Sequence, residues 1–478
     1  MGGGFGRLLR AEWTKLRSVR RWLLGMAAAV LLTLLISLLT AAGSGTDLNQ
    51  HPEELGPLGP TGERVRDQLH LAHQPLAGDG SITARVTAQE NSHESARAGL
   101  MIRESLVPGS RYAAVFVTPG HGVRFQANYR PDQDSAGSGA PRWLRLTRVG
   151  DTVTGYESPD GTSWREVGAV ELDGLPAGAL AGFFVNSPDE FEYERFVGGS
   201  SSSGERPTLG TATFDQVRVE PAAPGVRWQA TDSSVGFVGP GEMEQDGDRF
   251  TLIGAGDLAV RPPDTDVAQM SLFGVILGQI AVAVVAVLFI TSEFRRGMIR
   301  TSFAASPRRG RVLAAKAIVI GAASFLVGLV ASVTAFLASQ PLLRESGFGP
   351  PAYPVPSLTD WPVLRAVVGA AVLLALVAVL GLGLGAILRR GAGAIAVVVV
   401  LVLVPIFVEG GLPLTAAQWL VRSTPVAGQA ILQSQPVAPH EQITAQGMAS
   451  PLPGLGVVAL YAAASLAIGY WRLRRRDA

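Results

Sequence analysis

The chain contains no cysteine, and only two of its 40 basic residues are lysines, Lys15 and Lys316. The absence of cysteine excludes disulfide bonds, thiol catalysis and cysteine-ligated metal sites. The scarcity of lysine is typical of the codon bias of a GC-rich genome. This explanation requires no functional role for the two lysines.

An ATP-binding loop of the Walker A type is also absent. Such a loop reads Gly-x4-Gly-Lys-Ser/Thr, because its lysine must reach the β and γ phosphates. Lys15 is followed by Leu16 and Lys316 by Ala317, and neither has the glycines before it. We expect this chain to bind no cofactor. Energy for uphill movement of a substrate would come from another polypeptide or from an ion gradient.

Charged residues are missing from six long apolar segments. At about 1.5 Å per residue, the segment 267–292 would form a helix of ~39 Å, against a hydrocarbon core of ~30 Å. The first segment has an apolar part of about 20 residues, longer than the ~7–15 of a signal peptide, so we interpret it as an anchor. The six predicted transmembrane helices are 22–46, 267–292, 317–343, 366–388, 391–408 and 453–471.

No ionisable residue lies within these segments, although ion-coupled transport usually requires one. The most unusual polar residue is Gln279, near the middle of the second segment. It could line a transport path, and the alternative is a hydrogen bond between helices.

Basic residues alternate with the apolar segments in a way that predicts orientation. They are concentrated in 1–21, in 293–316, at 389–390 and in the tail 472–478. Because such residues mark the cytoplasmic side, we predict that both termini are cytoplasmic and that 47–266 is extracytoplasmic.

The first 21 residues predict an amphipathic helix at the membrane surface. Apolar residues recur at helical spacing, and arginines occupy the rest of the surface. The apolar positions are Phe5, Leu8, Leu9, Trp13 and Leu16. An unstructured basic leader that only sets topology is the alternative.

Residues 47–266 have a different composition, with 32 acidic and 18 basic residues. Short alternating runs, such as Ile82, Ala84 and Val86, are separated by turn residues, which predicts a β-sandwich. We expect its core at about 62–220 and a membrane-proximal β extension at 221–266. We predict no metal site: no His-Glu-x-x-His is present, and His70 and His73 would point to opposite faces of a strand.

The basic segment 293–316 is predicted as a cytoplasmic loop. Ser306 and Pro307 suit the start of a helix. Arg308, Arg309 and Arg311 would then lie at its positive dipole end, where basic residues are unfavourable. Something outside the helix must favour them, either lipid phosphates or carboxylates of a docked partner.

Two motifs resemble those of ABC-2-type transporter permeases of the actinobacterial type. One is Glu12-Trp13-x-Lys15-Leu16-Arg17-Ser18, and the other runs from Thr291-Ser292-Glu293-Phe294-Arg295-Arg296-Gly297 through Ser306-Pro307-Arg308-Arg309 to Lys316. The resemblance implies a six-span half-transporter that pairs with a copy of itself or with a second permease. It also implies a separate cytoplasmic ATPase, which uses the ATP.

The residues that would contact the ATPase follow from this resemblance. They are Glu12, Trp13, Lys15, Arg17, Glu293, Phe294, Arg295, Arg296, Gly297, Arg308, Arg309, Arg311 and Lys316.

The segment 78–220 resembles concanavalin-A-like jelly-roll domains. The resemblance rests on Trp143-Leu144-Arg145-Leu146-Thr147-Arg148 and on Ser158-Pro159-Asp160-Gly161-x-x-Trp164. Members bind glycans or serve as scaffolds, and some are hydrolases. Trp143, Tyr156 and Trp164 could stack on the sugars of a cell-envelope glycan, or they could belong to the core. No catalytic carboxylate pair is assignable.

We therefore expect an α-helical multi-pass membrane protein with an inserted all-β jelly-roll or β-sandwich domain. Its expected function is that of the permease subunit of an ABC-2-type exporter in the bacterial cell membrane, with no enzymatic activity and no nucleic-acid partner. The alternative is a membrane-anchored glycan-binding or sensor protein without transport activity. A membrane-bound glycosidase is a weaker third hypothesis.

Overall fold

A computed structural model describes most of the chain as two compact units. The described residues are 3–46, 55–90, 93–130, 133–134, 139–195, 201–222, 225–233, 241–261, 263, 265–295, 297–298, 308–435 and 447–475. We call the unit that comprises Met1–His51, Glu194–Ser202 and Pro263–Ala478 the helical unit. The β unit comprises Pro52–Tyr193 and Ser203–Pro262.

The described helical unit consists of ten α-helices and two 3-10 helices. The α-helices are α1 (Gly3–Ser18), α2 (Arg20–Gly43), α3 (Val267–Ser271), α4 (Val275–Arg295), α5 (Arg309–Glu345), α6 (Trp361–Leu388), α7 (Gly391–Val402), α8 (Val404–Val408), α9 (Leu414–Ser423) and α10 (Pro451–Arg475). The 3-10 helices are Glu409–Gly411 and Pro425–Leu432.

Five of these helices are long and apolar enough to cross a bilayer: α2, α4, α5, α6 and α10. The pair formed by α7 and the helical stretch 404–411 passes the same test together, with a bend of 41° at Leu403. The described residues thus contain five candidate spans, or six if the bent pair is one span. This confirms a multi-pass helical architecture, while the count of six remains a prediction.

Contacts between helix ends show that successive long helices run in opposite directions. The Arg472 guanidinium donates to the carbonyl of Ile387 at 3.0 Å, so the end of α10 meets the end of α6. The Arg309 guanidinium donates to the Leu473 carbonyl, which adds the beginning of α5 to the same end. At the opposite end of the unit, the amide of Thr46 donates to the carbonyl of Ser346 at 3.0 Å. We call the end where α5 begins and α6 and α10 end the basic end.

The structure differs from the sequence prediction in the segment 293–316. Helix α4 continues to Arg295 and α5 begins at Arg309, so Glu293 and Lys316 lie in helices rather than in a loop. The predicted helix start at Ser306 and Pro307 lies outside the described residues. The added turns carry buried residues, among them Glu293 at the end of α4 and Val312, Leu313 and Lys316 near the start of α5, so packing favours helix there.

The segment between the fifth and sixth predicted spans contains a buried helix. All eight residues of the 3-10 helix Pro425–Leu432 are buried. It packs against α10 and α6. The close approach requires glycine, since a Cβ on Gly454 would lie 2.0 Å from the Ala427 carbonyl oxygen.

The β unit contains most of the 18 strands found among the described residues. In chain order they are β1 (Val65–Asp67), β2 (His70–Ala77), β3 (Gly80–Glu90), β4 (Arg97–Arg103), β5 (Tyr112–Thr118), β6 (Gly122–Ala127), β7 (Gln133–Asp134), β8 (Arg142–Val149), β9 (Thr152–Ser158), β10 (Arg165–Glu171), β11 (Gly178–Asn186), β12 (Glu190–Arg195), β13 (Ser201–Arg206), β14 (Gly210–Glu220), β15 (Gln229–Asp232), β16 (Glu242–Asp246), β17 (Arg249–Gly254) and β18 (Leu258–Val260).

Two seven-stranded antiparallel sheets form the body of the β unit. Their strand orders are β10-β9-β8-β3-β14-β17-β16 and β15-β2-β11-β4-β5-β6-β7. The sheets share one hydrophobic core, to which Ile82, Ala84 and Val86 contribute from β3. This confirms a β-sandwich-like insert. Its classification as a concanavalin-A-like jelly roll remains a prediction.

The middle of the second sheet is buried on both faces. All seven residues of β5 are buried. On the outer face, Leu71, Tyr112 and Phe184 of this sheet form a further apolar cluster with Val65 and Leu258. This explains why β5 reads as a continuous apolar run rather than an alternating one.

The predicted membrane-proximal extension, 221–266, is not separate from the sandwich. Strand β15 joins the edge of the second sheet, and β17 and β16 extend the first. Phe250 and Leu252 of β17 enter the shared core, and Trp228 packs against it. The physical reason is that these apolar side chains bury more surface in the existing core than they could in a separate two-stranded ribbon, which is only marginally stable.

We predict that Asp67→Ala destabilises the β unit by about 3–5 kcal/mol. The buried Asp67 carboxylate accepts hydrogen bonds from Arg103 at 3.0 Å and from the Gly109 amide at 2.8 Å, so its loss leaves a buried guanidinium without its counterion. Glu104→Ala is the matched control, because its contact with Arg111 is longer, at 3.9 Å, and partly exposed. Hydrogen exchange of β4 in the full chain measures both, and equal protection in the two variants would contradict the prediction.

Candidate functional site

One side of helix α1 packs against the other helices of the helical unit and forms a buried stripe. Leu16 is buried and Leu9 and Val19 are partly buried against the helical core. In the middle of this stripe lies Glu12, whose exposed fraction is only 3%. The sequence predicts Trp13 as an apolar contact of this helix, but Trp13 is 41% exposed, because the stripe that packs passes through position 12 instead.

Four charged side chains from three helices meet beneath α1. They are Glu12 and Lys15 of α1, Glu293 of α4 and Lys316 of α5, and we call them the Glu–Lys cluster. The Lys316 ammonium donates to Glu12 at 2.7 Å and to Glu293 at 2.6 Å. The Lys15 ammonium donates to the same carboxylates at 2.8 and 3.2 Å.

The Glu–Lys cluster is electrically balanced and mostly removed from solvent. Lys316 is 1% exposed and Glu293 4% exposed, whereas the Lys15 side chain is 42% exposed. Burial of ions is costly, and the two carboxylates and two ammonium groups offset that cost through mutual attraction. Lys316 also lies 4.9 Å from the centroid of the Phe289 ring, where a cation is favoured.

The half-buried position of Lys15 has a visible electrostatic effect. Desolvation lowers the pKa of Lys15, but its hydrogen bond to Glu12 and the charge of Glu293 outweigh this and raise the pKa above the ordinary value. Lys15 therefore stays charged at physiological pH.

A second group of basic residues lies where α5 begins and α10 ends. Arg308, Arg309, Arg311 and Arg474 line an open cavity of about 670 Å³ with Tyr470, and we call them the arginine cluster. Of these, Arg309 is already used within the fold, because its guanidinium donates to the Leu473 carbonyl. Gly310 allows the approach, since a Cβ there would lie 2.8 Å from the Tyr470 ring.

The remaining residues of the predicted ATPase contact are dispersed around the basic end. Phe294 packs against the helical core, and the guanidinium of Arg389 lies 5.2 Å from its ring centroid. Arg17, Arg295 and Gly297 are exposed. Arg296 lies outside the described residues.

Gln279 is buried in α4, with an exposed fraction of 1%. Its side-chain amide nitrogen has no hydrogen-bond partner among the described residues. The structure thus places it inside the helical unit, and its role in a transport path stays a prediction.

The three candidate glycan-contacting aromatics lie half-buried on the outer face of the first sheet. Two of them are covered by other parts of the chain. The guanidinium of Arg145 stacks 4.0 Å from the Trp164 ring centroid, and a Cβ on Gly161 would lie 2.8 Å from the Trp143 ring. Tyr156 pairs with Arg145 across β8 and β9. A role in glycan binding stays a prediction.

Sequence reasoning missed the Glu–Lys cluster as a unit, although two signals pointed to it. One signal was a carboxylate at position 12, between Leu9 and Leu16 on the helical stripe. The other was that the only two lysines fall in the same two basic segments, 1–21 and 293–316, as the single acids Glu12 and Glu293. An explanation by codon bias accounts for the rarity of lysine but not for where the two lysines lie.

The fold and this site define a multi-pass helical membrane protein with a folded β insert and a charged cluster at one end of its helices. The model of the family described as ABC-2 family transporter protein matches residues 98–478. The chain therefore belongs to the ABC-2 transporter family, whose members are membrane components of transporters.

Curated proteins and solved structures show no similarity that identifies a substrate or an activity. The sequence shows no significant match to a curated protein. Among solved structures, scytalido-glutamic peptidase with a transition state analog inhibitor is 9% identical, covers 39% of this chain and 98% of its own, and has a TM-score of 0.28. A functionally unknown protein from Saccharomyces cerevisiae is 17% identical, covers 36% of this chain and 84% of its own, and scores 0.23. Scores this low establish neither fold nor function.

We predict that Lys316→Met destabilises the helical unit by about 3–5 kcal/mol, because two carboxylates stay buried with only Lys15 to neutralise them. Lys15→Met should cost less, about 1 kcal/mol, because this pair is partly exposed to solvent. The double variant Glu12→Gln/Lys316→Met removes one charge of each sign, and it should recover part of the loss. Thermal unfolding of the full chain in detergent measures all three, and equal losses for the two lysines would refute the assignment.

Proposed function

We propose that this chain is the permease subunit of an ABC-2-type exporter of the actinobacterial type. In this proposal six helices span the membrane, both termini are cytoplasmic and the β unit is extracytoplasmic. Two permeases pair, as a homodimer or with a second permease, and a separate cytoplasmic ATPase hydrolyses the ATP. Family membership supports the transport role.

The observation that carries the proposal is the Glu–Lys cluster. It fastens α1 to α4 and α5 at the basic end, where the sequence predicts the cytoplasmic side. A force applied to α1 by a docked ATPase would reach the ends of two long helices through charge pairs of 2.6–3.2 Å. The absence of a Walker A loop in this sequence supports a separate ATPase.

We propose that the exposed side of α1 and the arginine cluster form the docking surface. Arg7, Arg10 and Arg17 are exposed on α1, and Arg308, Arg311 and Arg474 are exposed beside α5. Carboxylates of the ATPase are the complementary groups. The β unit would bind a glycan or the exported substrate.

The alternative is a membrane-anchored glycan-binding or sensor protein without transport activity. A folded β-sandwich inserted between α2 and α3 favours it. One membrane helix suffices for anchoring, however, and the chain has at least five candidates. The number of spans thus supports transport.

We predict that the tagged full chain, gently solubilised from its native membranes, co-purifies with an ATPase that carries Walker motifs. Replacing Arg308, Arg309 and Arg311 with glutamine should abolish co-purification without loss of membrane insertion. The double variant Arg308→Gln/Arg311→Gln spares the contact of Arg309 with Leu473. It should also reduce co-purification of the ATPase, but by less than the triple variant. The measurement is the ratio of ATPase to permease in the eluate.

The matched control removes three exposed arginines from the β unit: Arg218, Arg227 and Arg249. It should retain the ATPase. Unchanged recruitment in the triple variant of the arginine cluster would exclude this docking surface. If no ATPase co-purifies and the full chain instead retains a cell-envelope glycan, the sensor function replaces the transport function.

A further inference from the structure

The junction between α1 and α2 borders a partly open cavity, and most of its lining residues have no part in the proposed function. The chain breaks its helix at Val19, where φ is −102° and ψ is 104°, and α2 then starts at Arg20. The cavity has a volume of about 590 Å³, and we call it the elbow cavity. Its walls come from this junction and from the last turns of α4, so it lies wholly within the helical unit.

The polar wall of the elbow cavity carries an excess of positive charge. Lys15, Arg20 and Arg21 line it, and Glu293 is its one carboxylate. That carboxylate is already neutralised by Lys15 and Lys316. Among the described residues, no ion pair joins Arg20 or Arg21 to a carboxylate, so two guanidinium groups face the cavity without a fixed anion.

Two buried aromatic side chains, Trp22 and Phe289, also line the cavity. Trp22 and Phe289 meet edge-to-face with ring centroids 5.8 Å apart, and Arg21 stacks over Trp22 at 4.3 Å. Directly after these residues, Leu23 and Leu24 are exposed on α2. Because α2 is a candidate membrane span, its exposed leucines mark the surface that contacts lipid chains.

An anion with an apolar continuation matches this arrangement. Arginine forks bind phosphate through paired charge-assisted hydrogen bonds, and tryptophan favours the boundary between headgroups and hydrocarbon. A protein carboxylate would complement the charge but not the aromatic side chains beside the lipid-facing leucines. The volume is also in the range of pockets that hold small organic groups.

We propose that the elbow cavity binds the phosphate of an anionic phospholipid through Arg20 and Arg21, with the glycerol end of the lipid against Trp22 and Phe289. Lys15 lines the same cavity, with its charge balanced by Glu12 and Glu293 in the Glu–Lys cluster. A free phosphate shares the charged part of this chemistry but not the apolar part. The test must therefore separate the two sources.

The experiment measures lipid retention by the full chain with native mass spectrometry, after exchange into micelles containing either phosphatidylglycerol or phosphatidylcholine. Retention of phosphatidylglycerol should exceed that of phosphatidylcholine. The variant Arg20→Gln/Arg21→Gln should weaken phosphatidylglycerol retention about tenfold, because two charge-assisted contacts are lost. The control Arg7→Gln/Arg10→Gln removes equal charge from the exposed side of α1, away from the elbow cavity, and should retain phosphatidylglycerol as the wild type does.

A second variant keeps the test valid if Arg20→Gln/Arg21→Gln fails to insert into the membrane. Arg20→Lys/Arg21→Lys keeps the charge that orients α2 but loses paired recognition of phosphate, and it should show an intermediate loss. Equal retention of the two lipids, or equal loss in the α1 control, would overturn the proposal. Competition by inorganic phosphate at the lipid's concentration would assign the site to a soluble phosphate instead. Loss of ATPase co-purification with unchanged lipid retention would assign these arginines to the protein partner.

Discussion

The buried ammonium group of Lys316 constrains the whole basic end of the helical unit. A lysine that is 1% exposed must be matched by negative charge, and Glu12 and Glu293 supply it from positions far apart in the chain. Separating Glu12 from Lys316 would deprive a buried lysine of one of its two carboxylates, so the cluster holds α1 against α4 and α5. The position of the amphipathic helix thus follows from electrostatics as much as from its apolar stripe.

The Glu–Lys cluster and the elbow cavity share two residues, Lys15 and Glu293. Under the two proposals made above, the attachment of α1 and the occupancy of the cavity would therefore be coupled. Lys15 has three N–H groups, of which two are committed to the carboxylates. An anion that accepted from the third N–H group would link its own binding to the position of α1.

Much of the architecture could be predicted because it depends on composition along the chain. Long uncharged segments such as 366–388 and alternating strands such as Gly80–Glu90 each carry a local signature. The pairing of Glu12 with Lys316 has no local signature, because 304 residues separate them. The placement of β16 and β17 has no local signature either, because they join the first sheet at the edge that β14 leaves open. The break at Leu403 and the buried 3-10 helix also depend on packing partners.

The unusual placement of lysine has a chemical consequence. Apart from the α-amino group, the chain offers only two primary amines, and one of them is sealed beneath α1. An amine-selective reagent or crosslinker would therefore modify Lys15 and spare Lys316 while α1 is in place. Labelling at Lys316 would show that α1 has separated from α4 and α5. The native chain thus contains a residue whose reactivity reports this movement.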